Sequence, residues 1–139
     1  MIKVSVITVC YNAEKTIERT VESVISQSYP NFEYVIVDGG SRDSTLDIIE
    51  KYSLNISSLI SEPDNGIYDA MNKGVQISTG MYVIFMNSGD IFVDNNVLLN
   101  LFSNIHDFPD VIYGNTVLLY SYGKFLVKAK IFKVSLIGI

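Results

Sequence analysis

Four short apolar runs recur along this 139-residue chain, and each ends in a polar loop. They are KVSVITVCYN, FEYVIVDGG, ISSLISEPDNG and GMYVIFMNSGD. A stretch of helical character follows each one. In AEKTIERTVESVISQS, the apolar residues Ile17, Val21, Val24 and Ile25 fall on one helical face. The proline of YPNF stops that helix. SRDSTLDIIEKY is a second helix, with Ser41, Asp43 and Ser44 as capping residues. GIYDAMNKGVQIS is a third, and DNNVLLNLFSN a fourth, capped by Asp94. The fourth run is apolar throughout, as a central parallel strand should be. DVIYGNTVLLYSYGKFLVKAKIF reads as two β segments hinged at Ser121 to Gly123. Strand and helix alternating four times predict an α/β fold, a mostly parallel central sheet flanked by helices.

In such sheets a ligand lies beyond the carboxyl ends of the strands. The four polar loops CYN, DGGSRDS, SEPDNG and NSGD are expected on that one rim. Four together are more specific than any one alone. Asp38 ends a buried run, where a carboxylate is costly unless it is paired or faces solvent. At a rim it is placed to accept hydrogen bonds from a ribose or a base edge. Gly39 and Gly40 permit close approach, and the helix behind them offers free N–H groups to an anion. The bland alternative is a turn and a helix cap, which suits Ser44 and Thr45. Asp90 lies just past the fourth strand, placed to hold a divalent cation, and Asn87 can add an amide oxygen. Its alternative is a solvated turn residue.

Other site chemistries find little support. The place of a G-x-G-x-x-G fingerprint holds CYNAEK, and no G-x-x-x-x-G-K-[ST] occurs. His106 is the only histidine, in a loop, with no partner for zinc. Cys10 reads as a small buried hydrophobe rather than a nucleophile. One cysteine excludes a disulfide framework and fits a reducing, cytoplasmic setting. No signal peptide is visible in MIKVSVITVCYN, and the longest apolar run, about six residues, is far short of a membrane span. The net charge of −5 argues against broad nucleic-acid binding. Residues 1–110 hold all fifteen acidic residues and six basic ones, a net −9; Lys124, Lys128, Lys130 and Lys133 follow. That asymmetry marks either a solvated face or a patch for a partner or membrane.

The segments VSVITVCYNAEKTIERTVESVISQSYPNFEYVIVDGGSRDST and SEPDNGIYDAMNKGVQISTGMYVIFMNSGD together resemble the family 2 glycosyltransferases. The likeness runs from about Lys3 to about Gly123. The PDNGIYDAMNKG and MNSGD variants look most like the bacterial branch that builds exopolysaccharide and lipopolysaccharide. The resemblance implies the GT-A fold, a nucleotide-sugar donor (UDP above all), Mn²⁺ or Mg²⁺, and inversion at the anomeric carbon. It implies that Tyr11, Asn12 and Glu14 line the nucleotide pocket, and that Asp38 contacts base or ribose. Gly39 and Ser41 would shape that loop. Asp64, Asn65 and Gly66 would lie beside the nucleotide, and Asp90 would bind the metal. Lys73 is a weaker phosphate candidate.

The chain departs from the family at Asn87 and Gly89, where many relatives are acidic, and at Met71, where many carry arginine. On this likeness the chain is one GT-A-type domain. Residues 1–110 form the donor-binding part and 111–139 the start of an acceptor-side part that stops short. No Asp, Glu or His follows Asp110, so no catalytic base is identified. The expected partners are the donor and a glycan or lipid-linked acceptor at the inner membrane face, met through the basic tail. Self-association through an open sheet edge is a further expectation. The competing expectation is a non-catalytic nucleotide- or partner-binding module. Nucleotidyl transfer is a weaker third, because the glycine-rich loop is missing.

Overall fold

The computed structural model describes residues 1–103, 105, 109–112, 115–120 and 123–127. Its element order is β1 (Val4–Cys10), α1 (Ile17–Ile25), β2 (Phe32–Asp38), α2 (Thr45–Glu50), a 3₁₀ turn (Ser53–Asn55), β3 (Ser58–Ser61), α3 (Ile67–Ile77), β4 (Tyr82–Phe85), α4 (Val97–Phe102), β5 (Thr116–Tyr120) and β6 (Gly123–Val127). The expected alternation is present. The chain forms two compact units, Met1–Asn100 and Leu101–Ile139.

In the first unit the strands form one parallel sheet in the order β3-β2-β1-β4. All seven residues of β1 are buried, as expected for a strand covered on both faces. Ile7 pairs with Val35 and Val9 with Val37, and these four share a core with Ala70 of α3. Helix α3 lies close because Gly74 has no side chain: a Cβ there would stand 2.6 Å from Ile7 Cγ2. The alternate positions Val4, Val6, Tyr34 and Ile36 are equally buried, and Tyr34 shares a 2.9 Å hydrogen bond with Thr8.

One expectation needs correction. β4 is parallel but ends the sheet among the described residues, and Val83 and Phe85 are exposed. Hydropathy alone cannot separate a central strand from an end strand whose second face is uncovered.

In the second unit β5 and β6 pair antiparallel, with Tyr120 opposite Gly123. The hinge residues Ser121 and Tyr122, His106, and the lysines Lys128, Lys130 and Lys133 lie outside the described residues. Among the described residues no helix is long and apolar enough to cross a membrane.

The amino-terminal end of the sheet is tied by Glu33. Its carboxylate takes hydrogen bonds from Ser5, Lys3 and Thr79, and the Lys3 ammonium lies 2.8 Å away. Burial alone would raise its pKa, but the bonds from Lys3, Ser5 and Thr79 outweigh it and hold the group at about 2. A pKa depressed in the folded state stabilises above the unfolded value, here about 4.5, and is lost as pH falls toward about 2. We therefore expect Glu33→Gln to cost about 2 kcal/mol at neutral pH. Its urea midpoint should also change less than the parent's between pH 4.5 and 2. Parallel pH curves for the two proteins would refute this assignment.

Candidate functional site

A cleft of about 400 Å³ opens at the carboxyl ends of the strands. Tyr11, Asn12, Ala13 and Thr16 line it after β1, and Asp64, Gly66, Ile67 and Ala70 line it around the start of α3. Asn87 and Ser88 close it after β4, over a floor of Val9 and Cys10. This is the rim where α/β sheets take ligands.

The loops after β1 and β2 lock onto each other. Asn12 has a left-handed φ of 47°, and its side chain accepts the Arg42 N–H at 2.9 Å. Its own N–H goes to Ser41 Oγ at 2.7 Å. Glu14 accepts the Ser44 N–H, while Asp43 accepts the N–H groups of Glu14 and Thr45. So Glu14 and Ser41 do not line the cleft; they hold its wall. Asp43 caps α2 as expected, but Ser44 makes no side-chain cap bond. Asp94 likewise bonds the Asn96 N–H, whereas Gln27, two residues past α1, caps Leu98 in α4.

Asp38 is fully buried. Its carboxylate accepts the Gly40 and Ser41 N–H groups at 3.1 and 3.0 Å, the Ser61 hydroxyl at 2.8 Å, and the Ser41 hydroxyl. The Cys10 thiol adds a 3.7 Å contact. Burial, reinforced by Asp38, pushes that thiol well above its usual pKa, so Cys10 is inert as a nucleophile. Asp38 therefore organises three strand ends and does not line the cleft.

The turn Pro63–Gly66 is a built entrance to α3. Gly66, at φ 108°, begins the helix, and Asp64 Oδ1 accepts its N–H at 2.8 Å. Asp69 reaches back to accept the Asn65 N–H at 3.0 Å. Lys73 donates to the Pro63 carbonyl at 3.1 Å and pairs with Glu62 at 2.8 Å. The Glu62 carboxylate raises the pKa of that ammonium. Lys73 is thus a strap across the turn and is absent from the cleft lining, as is Asn65.

The loop after β4 hangs on α1. Ser88 N–H bonds the Val9 carbonyl at 3.1 Å, and Asp90 N–H bonds the Asn87 carbonyl at 2.8 Å. Gly89 takes a left-handed φ of 105° in that turn. Thr16 shares a 2.9 Å bond with Ser88, and Thr20 accepts the Gly89 N–H at 2.9 Å. Ser23 takes the Phe92 N–H, and Gln27 donates to the Asp94 carbonyl. A polar stripe at spacings of four, three and four residues thus runs from the N-cap Thr16 along α1 to Gln27 just past its end. The apolar periodicity of that helix does not point to Thr16, Thr20 or Ser88. The stripe itself was the available signal.

Among the described residues, no three His, Cys, Asp or Glu side chains gather into a metal-binding group. The oxygen donors nevertheless suit a hard cation. Asp90 is exposed at the end of its turn, and Asn87 Oδ1 is buried without any hydrogen bond. An orphan amide oxygen, three residues before a carboxylate in the same turn, is chemistry that fits Mg²⁺ or Mn²⁺, which commonly use one or two carboxylates plus substrate oxygens.

The family model described as Glycosyl transferase family 2 matches residues 5–135. A "PGL/p-HBAD biosynthesis glycosyltransferase" of Mycobacterium tuberculosis is 32% identical over 119 residues, 82% of this chain and 46% of that protein. The Escherichia coli "UDP-Glc:alpha-D-GlcNAc-diphosphoundecaprenol beta-1,3-glucosyltransferase WfgD" is 30% identical over 92% of this chain and 52% of its own. The chain spans about half the length of these curated relatives. Among solved structures, S. aureus TarS 1-349 in complex with UDP-GlcNAc aligns at a TM-score of 0.64 and 32% identity, covering 70% of this chain and 29% of that one. The mannosyltransferase PcManGT of Pyrobaculum calidifontis, with GDP-Man and Mn²⁺, aligns at 0.67 and 25%, covering 72% and 31%. The sheet and helices are therefore those of a GT-A fold.

The α1 stripe can be tested directly. Thr20→Val keeps the shape but removes the acceptor for the Gly89 N–H. It should cost about 1 kcal/mol in urea unfolding. It should also speed amide hydrogen exchange at Gly89 well beyond that global change. Unchanged exchange would mean that the turn holds itself.

Proposed function

This chain belongs to glycosyl transferase family 2, and from that premise we propose that its cleft takes a nucleotide-diphosphate sugar, with UDP as the nucleotide. The chain is the donor-binding part of an enzyme that passes the sugar, with inversion, to a glycan or lipid-linked acceptor in cell-surface polysaccharide synthesis. Residues 1–110 carry the donor side. The observation that carries the reading is the cleft itself. Three strand-end loops and the start of α3 converge on one opening, in a chain alignable with a UDP-GlcNAc complex.

The chain's own residues divide the work. Tyr11, 61% exposed on the cleft wall, offers a ring face to a base. Asp64 offers the lining's only carboxylate, and Gly66 lets the ligand approach backbone. Asn12, Glu14, Ser41 and Asp38 hold the wall to which Tyr11 belongs, and Gly39 leaves room for the Asp64 carboxylate. The Asp69 bond fixes the Asn65 backbone, and Asn65 would lie beside the nucleotide at the cleft's edge. Ser88 and Thr16 present hydroxyls where the sugar diphosphate would enter. Asp90, with the Asn87 amide oxygen, would hold a divalent cation, Mn²⁺ or Mg²⁺, whose chemistry is to neutralise charge on a departing diphosphate. The lysines after residue 123 would meet anionic lipid at the inner membrane face, each worth roughly 1 kcal/mol near the surface.

Calorimetric titration of UDP with and without Mn²⁺ tests this. We expect binding that tightens at least about tenfold with the metal, and loses that gain in Asp90→Ala. Binding indifferent to both would remove the metal role. A folded chain that binds no UDP under either condition would remove the donor reading.

A further inference from the structure

We propose that Asp64 reads the base, with its Oδ2 accepting the single imide N–H of a uracil ring laid against Tyr11. This rests on the donor reading above and goes further by naming the specificity residue and the base it selects.

Three observations converge on that oxygen. First, Asp64 is the only acidic side chain among the residues that line the cleft. Its two oxygens are not equivalent: Oδ1 is committed to the Gly66 N–H at 2.8 Å, while Oδ2 accepts no hydrogen bond from any described residue. Second, Oδ2 occupies the space above Gly39. A Cβ on residue 39 would stand 2.5 Å from it. Gly39 has no left-handed φ, unlike Gly40, Gly66 and Gly89. Its backbone, fixed by a 2.9 Å bond from its N–H to the Cys10 carbonyl, would accept any residue. Glycine is therefore needed there for space, and what fills the space is the Asp64 carboxylate. Third, the exposed ring of Tyr11 lines the same cleft. A ring face beside one free acceptor describes a site for a flat heterocycle with a donor on its edge.

The hydrogen-bond inventory then selects the base. Uracil presents one N–H, at N3, between two carbonyls. Cytosine and adenine present a bare ring nitrogen at the corresponding edge, which a carboxylate repels. Guanine presents two adjacent donors, which call for both oxygens of a carboxylate. Asp38, the residue that the family likeness points to, cannot serve: it is fully buried and spends its oxygens on Gly40, Ser41 and Ser61.

The test is a pair of variants and three nucleotides, with UDP, CDP and GDP titrated calorimetrically into the parent chain, Asp64→Asn and Gly39→Ala. Asp64→Asn can keep Oδ1 on the Gly66 N–H while placing an NH₂ donor where Oδ2 was. It should lose UDP affinity by roughly 10- to 100-fold and gain for CDP, whose N3 accepts, so that the UDP-to-CDP ratio inverts. Gly39→Ala should push the carboxylate away and weaken UDP by about tenfold with no gain for CDP. Circular dichroism and urea midpoints confirm that both variants fold. Asp64→Asn with the parent's UDP affinity, or with an unchanged UDP-to-CDP ratio, overturns the proposal. A parent that prefers GDP overturns the uracil assignment and leaves the donor reading intact. A parent that binds none of the three overturns both.

Discussion

A carboxylate buried at the end of β2 sets the arrangement of the whole rim. Desolvating such a group costs several kcal/mol unless donors surround it. Asp38 is fully buried, so the chain around it has to supply those donors. Two come from the backbone of its own loop, one from the Ser41 hydroxyl and one from Ser61 at the end of β3. Meeting that demand bends residues 38–41 into the loop that Asn12 then grips. The positions of Tyr11 and of the cleft wall follow from it. Loss of this one residue would leave three strand ends without a shared anchor.

The alternation of buried runs and helices, and the gathering of four polar loops on one rim, were legible in the sequence because both depend on local periodicity. The duties of individual polar residues were not. The family likeness implies that Glu14 lines the nucleotide pocket and that Ser41 shapes its loop, and neither reading names their partners. Their bonds reach about thirty residues along the chain, Glu14 to Ser44 and Ser41 to Asn12. No local pattern encodes such a pairing. Lys73 is a similar case: a lone cation near a presumed diphosphate invites a phosphate role, yet Glu62 and the Pro63 carbonyl hold it. The misplacement of β4 has another cause, since an apolar run does not say how many of its faces are covered.

Helix α1 carries two messages on two faces. Ile17, Val21 and Val24 are buried with the core. Thr16, Thr20, Ser23 and Gln27 receive the loop that bears Asn87 to Asp90. Short hydroxyl side chains suit that task, because they meet backbone N–H groups at close range with little entropy to lose. Helix and loop are separated by roughly seventy residues, so this contact carries a loop-closure cost that pairings between neighbouring elements do not.

The composition of the cleft then bears on how a diphosphate would be held. At two positions where the family likeness leads one to expect carboxylates, this chain has the neutral Asn87 and the bare Gly89. Each loss of a carboxylate lowers the local negative charge that a diphosphate must approach, and also lowers the pull on a cation. The two effects oppose each other in the free energy of donor binding. With Asn87 Oδ1 buried and unpaired, the site retains an oxygen that gains from any donor or cation placed against it. On the proposed reading, substrate oxygens and water would complete most of the cation's shell, in keeping with the reluctance of Mg²⁺ to dehydrate. Such a site would depend more on metal concentration than one ringed by carboxylates, and the nucleotide would have to be recognised mainly by the Tyr11 and Asp64 side of the cleft.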